Sequence, residues 1–211
     1  MKISHSSNEF IQEIAEVHIS SFPNSISSLL GKSYVVSMLN WYIKTENAFL
    51  FHVSAGNDIV GYCGALISDG MRKNGSSTRI FQLTFFDLFL SFLKKPWLIF
   101  KINIPQNILF IIKNILIKFK KLVTQKNIEK DLDKERLYIS IISIGVKDDY
   151  LGKGYGNALL KELEIHSIKK NIDLLKLSVK KTNNRAIRAY KRQGWIVVSE
   201  GKINLQLIKK L

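Results

Sequence analysis

Apolar residues at helical spacing dominate the start of the chain. Phe10, Ile14 and Val17 recur on one face of a helix, and Ser6 followed three places later by Glu9 is typical of a capping box. The pattern therefore predicts a helix that begins just after a short opening strand.

Two further elements follow this helix. Residues 28–44 place apolar side chains among polar ones at helical spacing and predict a second helix. Residues 48–54 and 59–68 are apolar and β-prone, and the turn-forming stretch 55–58 (AGND) separates them. This arrangement predicts a β-hairpin.

The last part of the chain alternates β-prone runs with helical segments. The run at 137–146 (LYISIISIGV) is long enough for a buried strand. Glycines separate it from a helix, and Gly194 follows a second, shorter helix where a left-handed cap is expected. The predicted order is strand 137–146, helix to about Lys170, strand 174–179, helix 183–193, strand 195–199 and a continuation at 203–208.

Residues 71–131 differ in composition from both flanks. They hold twelve Lys or Arg residues, three acidic residues and eight of the twelve phenylalanines. Their apolar positions form helical stripes, so we expect two or three amphipathic helices. Such helices suit an anionic membrane surface, but a cover over the acceptor side of the sheet or a contact with a second subunit is the simpler interpretation.

The whole chain has 211 residues, of which 46% are hydrophobic, and this excludes global disorder. Its formal net charge of +15 attracts anionic partners without choosing among them. The single cysteine, Cys63, excludes an internal disulfide, and no signal peptide or membrane-spanning run is recognisable. We therefore expect a cytoplasmic protein, with peripheral attachment to the inner membrane face left open.

The glycines at 152, 154 and 156 lie between a buried strand and a helix. Backbone N–H groups converge at such a turn, where the positive end of the helix dipole favours a phosphate or pyrophosphate. By itself the G-x-G-x-G spacing is a weak signal that an ordinary tight turn would also give. The phosphate-binding loop of NTPases and the dinucleotide fingerprint both require spacings that this sequence lacks.

A second motif lies downstream in the order Asn183, Ala186, Tyr190, Gly194 and Trp195. Together with the glycine turn it resembles the GNAT superfamily of acyl-CoA-dependent N-acetyltransferases. The family's cofactor motif, a strand ending in Val and then [RQ]-x-x-G-x-[GA], corresponds to Val146 and to residues 151–156. Leu151 departs from this motif, because the family usually has Arg or Gln there.

The resemblance implies one domain over residues 1–211, of α/β (α+β) class, with a mixed, mostly antiparallel sheet flanked by helices. Residues 71–131 would be an insertion between the third and fourth strands. Acetyl-CoA would lie between the fourth and fifth strands as co-substrate, without a metal, and Tyr190 would be the catalytic acid. The implied cofactor-binding residues are Ile144, Val146, Leu151, Gly152, Lys153, Gly154, Tyr155, Gly156, Asn183 and Tyr190.

No general base is evident from the sequence. His52 lies on a predicted strand from which it could reach the acceptor, although a packed or exposed histidine is the simpler interpretation. His166 is expected at the surface, and His5 and His18 carry no specific signal. Cys63 has no partner at nucleophile spacing and is expected in the core.

The predicted function is transfer of an acetyl group from acetyl-CoA to a primary amine by direct attack in a ternary complex. The acceptor stays open among small amines, amino sugars and protein amines, and the basic surface favours acceptors that carry phosphate or carboxylate. A non-catalytic acyl-CoA-binding, membrane-binding or nucleic-acid-binding module is the alternative. Recognised nucleic-acid-binding motifs are missing, so nucleic acid is the less favoured partner.

Overall fold

The structure is a computed structural model that describes residues 1–68 and 137–211. The helices predicted for residues 71–131 lie outside this described part. Within the described ranges, no helix is both long enough and apolar enough to cross a membrane.

Strands and helices alternate as the sequence pattern predicts. The strands are β1 (Lys2–His5), β2 (Ala48–Ala55), β3 (Asp58–Ser68), β4 (Tyr138–Val146), β5 (Leu174–Lys180), β6 (Ile196–Glu200) and β7 (Asn204–Lys210). The α-helices are α1 (Ile11–Ser21), α2 (Ile26–Leu30), α3 (Lys32–Lys44), α4 (Tyr155–Lys169) and α5 (Asn184–Arg192). Short 3-10 turns at Asn8–Phe10 and Asp148–Tyr150 precede α1 and α4.

The seven strands form one sheet in the order β1-β2-β3-β4-β5-β7-β6. Every neighbouring pair is antiparallel except β4 and β5, which run parallel. The predicted mixed, mostly antiparallel α/β fold is therefore confirmed. A two-residue turn joins β2 to β3 at the predicted hairpin.

Two local predictions near the N-terminus are wrong. The helix predicted over 28–44 is two helices, because Gly31 has a φ of 105° and separates α2 from α3. The capping box does not form: the Ser6 hydroxyl hydrogen-bonds His52 Nδ1 at 3.0 Å, and the Ser6 amide donates to the carbonyl of Leu50. Strand pairing therefore takes the groups that would have capped the helix.

Two apolar clusters cover the two faces of the sheet. One packs Leu159, Leu160 and Leu163 of α4 against side chains of β2 to β5, and Trp195 closes it. The other packs the apolar faces of α1 and α3 against β2 and β3. Cys63 is buried in the α4 cluster, as the sequence predicts.

Strands β4 and β5 stay paired over only three positions. Ile139, Ser140 and Ile141 face Leu175, Lys176 and Leu177, and the pairing ends there. Beyond this point β4 continues beside β3 and β5 continues beside β7. The register between β3 and β4 also shifts at Gly64/Ala65, which leaves Ile142 as an extra residue on β4. The parallel strands therefore separate, and the sheet opens along the far half of β4.

Two glycines on the α1/α3 face let helix side chains approach the sheet closely. A Cβ on Gly64 would lie 2.8 Å from Cζ of Tyr42, and a Cβ on Gly145 would lie 2.9 Å from Cβ of Ser21. Tyr42 is fully buried, so its ring has little freedom to move aside.

We expect Gly64→Ala to lower the free energy of unfolding by about 1–3 kcal/mol, because overpacking a rigid core costs that much. Chemical denaturation measures the change, provided that the dependence of the unfolding free energy on denaturant concentration is the same in wild type and variant. Gly156→Ala is the matched control, since its Cβ would meet Val146 Cγ2 at 3.9 Å, an ordinary contact. Equal losses in both variants would show that the close approach of Tyr42 is not the cause.

Candidate active site

A cavity of about 370 Å³ occupies the opening between β4 and β5. Its walls come from the diverging ends of the two strands, from α5 and from the end of α1. The residues that line it are His18, Phe22, Ile141, Ile142, Ser143, Ile144, Leu177, Ser178, Val179, Lys180, Asn183, Ala186 and Tyr190. It is therefore a largely apolar slot with a few polar groups, the usual character of a small-molecule site.

Three of the sequence-predicted cofactor residues line this cavity, namely Ile144, Asn183 and Tyr190. Val146 lies instead in the buried α4 cluster at the end of β4. The other predicted residues, at 151–156, are outside the lining. A Cβ on Gly156 would lie 3.9 Å from Cγ2 of Val146, which follows the lining residue Ile144 by two positions on β4. Strand β4 therefore leads from the cavity toward the glycine turn.

The glycine turn has the backbone shape that the sequence predicts. Gly152 and Gly154 have φ values of 81° and 88°, a region that side chains disfavour, and open space surrounds both Cβ positions. The first internal bond of α4 runs from the Ala158 amide to the Gly154 carbonyl. The amides of Tyr155, Gly156 and Asn157 precede that bond and so have no helical carbonyl to bind. An anion at this point would find these donors and the positive end of the helix dipole.

Side chains around the turn hold it in place. The Gln193 amide donates to Asn157 Oδ1 at 2.6 Å and so connects the end of α5 to the start of α4. The rings of Tyr150 and Tyr155 pack edge to face, and Lys153 Nζ lies 5.3 Å from the centre of the Tyr150 ring. Leu151, at the position where the resembled family has Arg or Gln, packs against the α4 cluster.

Tyr190 faces the cavity from α5, half-buried against Trp195, with ring centres 5.8 Å apart. Burial raises the pKa of its phenol, and the nearby Cys63 adds to the effect. The phenol therefore keeps its proton at neutral pH. A protonated phenol on the wall of this slot is able to donate a hydrogen bond or a proton.

Asn183 immediately precedes α5, and its side chain caps the helix. Asn183 Oδ1 accepts a hydrogen bond from the Ala186 amide at 3.1 Å, as an N-cap does. The cap fixes the first turn of the helix that carries Tyr190, seven residues after Asn183. Asn183 therefore lines the cavity and also fixes the start of the helix on which Tyr190 lies.

His18 is the site residue that the sequence analysis missed. It is 4% exposed and lines the cavity from α1. Its Nδ1 lies 2.5 Å from the Tyr62 hydroxyl, and its Nε2 lies 2.7 Å from the Ser27 hydroxyl. Burial lowers the pKa of the imidazole to about 4, so the ring is neutral at pH 7.

The other histidines lie away from the cavity lining. His52 bonds to Ser6 and packs on Phe10, which agrees with the simpler interpretation of a packed histidine and not with a reach toward the acceptor. His166 was expected at the surface, but its ring packs against Phe49, and its Nε2 is buried. Burial lowers the pKa of both rings.

A metal centre and a cysteine nucleophile find little support in the described part of the chain. Across residues 1–68 and 137–211, no three His, Cys, Asp or Glu side chains gather as metal ligands would. Burial raises the pKa of the Cys63 thiol to about 12, so a thiolate nucleophile does not form at neutral pH.

The described part of the chain thus combines a slot between diverging parallel strands with a glycine turn at the start of a helix. The family model described as "Acetyltransferase (GNAT) family" matches residues 123–195. No curated protein sequence matches the chain.

Solved structures show the same fold at low sequence identity. The PaiA N-acetyltransferase of Thermoplasma acidophilum, in complex with coenzyme A, has a TM-score of 0.57 and 14% identity, with 100% of both chains covered. The ribosomal-protein-alanine N-acetyltransferase of Brucella melitensis has a TM-score of 0.57 and 11% identity, also with 100% of both chains covered. A GNAT acetyltransferase of Streptococcus pneumoniae has a TM-score of 0.53 and 14% identity, covering 100% of this chain and 99% of that one.

The family model matches about a third of the chain, and the solved structures share the fold over its whole length, so both agree with a GNAT-type acetyltransferase fold. The resemblance read from the glycine turn and the α5 motif is thereby confirmed. Enzymes of this class are acyltransferases that take their acetyl group from acetyl-CoA.

The low pKa of His18 makes the folded state sensitive to acid. Between pH 6.5 and about 4 the unfolded chain binds a proton at this residue that the folded chain does not, so stability falls as the pH falls through this window. The full effect is on the order of 3 kcal/mol. We expect denaturation curves of His18→Gln to show a shallower loss of stability than wild type over that window.

The same curves between pH 7 and 8 provide the control, because both states leave this imidazole unprotonated there. His52 and His166 contribute to the wild-type slope as well, so the difference between the two proteins isolates His18. Parallel slopes in wild type and His18→Gln would contradict the assignment.

Proposed function

We propose that the protein transfers an acetyl group from acetyl-CoA to a primary amine held near the α1 end of the slot. One observation carries this proposal: the strand β4 that lines the opening leads directly into a glycine turn whose amides have no helical carbonyl to bind. A long, thin donor with phosphates at one end and a thioester at the other fits that combination.

The donor's pyrophosphate would bind the amides at the start of α4, with Gly152 and Gly154 leaving room for its approach. Its pantetheine arm would extend along β4, where loss of the β5 pairing leaves backbone groups on one edge in need of partners. Its thioester would then lie near Ser143 and Tyr190, which both line the slot.

The chemistry needs a neutral amine, because only a free lone pair can attack the thioester carbonyl. Attack forms the carbon–nitrogen bond and a tetrahedral intermediate, whose collapse breaks the carbon–sulfur bond. The departing thiolate needs a proton, and Tyr190 is protonated at neutral pH and lines the slot. We assign Tyr190 as the acid for this step.

The acceptor would approach past His18 and Phe22, which line the slot from the end of α1. Residues 137–211 carry fifteen Lys or Arg residues and six acidic ones, an excess that attracts anions. This supports an acceptor with a phosphate or carboxylate, such as an amino sugar phosphate. A peptide N-terminus is the second candidate, because one structural neighbour is described as a ribosomal-protein-alanine N-acetyltransferase.

Isothermal titration with acetyl-CoA tests the donor site. We expect micromolar binding by the wild type and a loss of at least 100-fold in Gly154→Asp, which puts a carboxylate beside the pyrophosphate position. Gly154→Asn is the matched control, because it imposes the same backbone strain at φ 88° without the charge. Absence of binding by well-folded wild type would refute the donor site, and equal losses in both variants would refute its electrostatic basis.

Replacing Tyr190 tests the acid. Tyr190→Phe should lower kcat about 10- to 100-fold while leaving the affinity for acetyl-CoA within twofold, because the ring still fills its place. Release of free CoA thiol measures turnover with three probe amines: glucosamine 6-phosphate, trialanine and 1,4-diaminobutane. An unchanged kcat in Tyr190→Phe would remove this residue from the chemistry, and the order of the three rates indicates the acceptor class.

A further inference from the structure

A chain of buried and half-buried polar side chains connects the slot to the surface of α2. It includes Tyr62, His18, Ser27, Ser25 and Ser28, with successive atoms 2.5, 2.7, 2.9 and 3.0 Å apart. At the slot end, Ser143 of β4 is close enough to the Tyr62 phenol to influence its pKa, although Ser143 Oγ has no hydrogen bond of good geometry among the described residues.

The hydrogen-bond directions in this chain follow from proton counting. Ser25 uses its one hydroxyl proton to donate to Ser28, so it must accept from Ser27. Ser27 then has no proton left for His18 and must accept from His18 Nε2–H. Because the ring is neutral, its Nδ1 bears a lone pair and accepts from the Tyr62 hydroxyl. Every donor therefore points from the slot toward α2.

We propose that this chain, with His18 at its centre, carries the proton of the acceptor amine out of the active site. The inference rests on the acetyl transfer proposed above. It assigns a path for the proton that must leave before the amine can attack, a step for which neither the sequence motifs nor Tyr190 provides a group.

The transfer balances at each atom. The ammonium N–H bond breaks and its proton passes to Ser143 Oγ, directly or through one water, while the Ser143 proton moves to Tyr62. The Tyr62 proton bonds to His18 Nδ1 as the proton on Nε2 leaves for Ser27. The serines pass on one proton in the same direction, and Ser28 releases one to solvent. The ring exchanges one tautomer for the other and never has to hold a lasting charge.

The surroundings of these hydrogen-bonded side chains favour the passage of a proton over its retention on any one group. Burial keeps the pKa of His18 low and raises the pKa of Tyr62, so neither group stays ionised at neutral pH. Burial also raises the pKa of two titratable groups that act on Tyr62, Tyr42 of α3 and Cys63 of β3, which remain uncharged as well. The three serines are half-buried, which gives the far end of the path access to water.

Nitrogen-detected NMR of the histidine rings tests the direction of the chain without any acceptor. We expect the neutral Nε2–H tautomer for His18, and we expect Tyr62→Phe to shift the ring toward the other tautomer because Nδ1 loses its donor. Finding Nδ1–H in the wild type would reverse the directions and overturn the proposal.

Kinetics test the transfer itself, using the probe amine with the highest kcat/KM among the three above. Tyr62→Phe and Ser27→Ala interrupt the chain on opposite sides of His18. We expect each to lower kcat 10- to 100-fold near pH 7, with the deficit narrowing toward pH 9 as hydroxide replaces the path. In the wild type we expect several protons to contribute to the solvent deuterium isotope effect on kcat. In both variants we expect only one proton to contribute to it.

Tyr42→Phe is the matched control, because its buried phenol also lies beside Ser143 but outside the chain, and it should behave like wild type. Thermal melting and acetyl-CoA titration confirm that each variant is folded and binds donor. Variants that bind acetyl-CoA normally and keep wild-type kcat and isotope effects would overturn the proposal. Failure of the wild type to bind acetyl-CoA would instead refute the proposed function.

Discussion

The separation of β4 from β5 is the constraint on which the rest of the site depends. A parallel pair normally continues its ladder, but here the pairing ends after Ile141, and Ile142 is an extra residue on β4. Strand β4 keeps its antiparallel neighbour β3 and β5 keeps β7, so both strands remain paired on the side away from the opening. On the edge of β4 that faces the opening, backbone N–H and C=O groups no longer pair with β5 and can form hydrogen bonds with a ligand. The same opening therefore provides both the slot and the means to hold an extended ligand.

Strand β4 also directs its side chains alternately to the two faces of the sheet. Ile144 lies opposite Cys63 on the α4 face, whereas Ser143 lies opposite Gly64 on the α1/α3 face. Gly64 has no side chain, so the space in front of Ser143 is available to Tyr42 and, beside it, to Tyr62. Donor-binding groups and the polar groups of α1 thus meet along one strand, because alternation gives neighbouring residues opposite directions.

The sequence predicted the parts of the site that depend on local spacing. The glycine turn, the short helix that begins near Asn183 and the position of Tyr190 on it each follow from residues within a few places of one another. His18 could not be found this way, since its partner Tyr62 is 44 residues distant and its neighbours on α1 match an ordinary amphipathic face. Ser6 shows the reverse case: a good local capping signal was overridden because β1 pairing with β2 brought His52 to its hydroxyl.

Ser68 and Tyr138 are direct partners across the β3–β4 ladder. The two ends of the intervening segment are therefore fixed about 5 Å apart, whatever its length. Because the entropy of closing a loop grows only with the logarithm of its length, the sheet is almost indifferent to how many residues intervene. The register of β4 beside β3 therefore places only a weak constraint on the length of the segment that this junction closes.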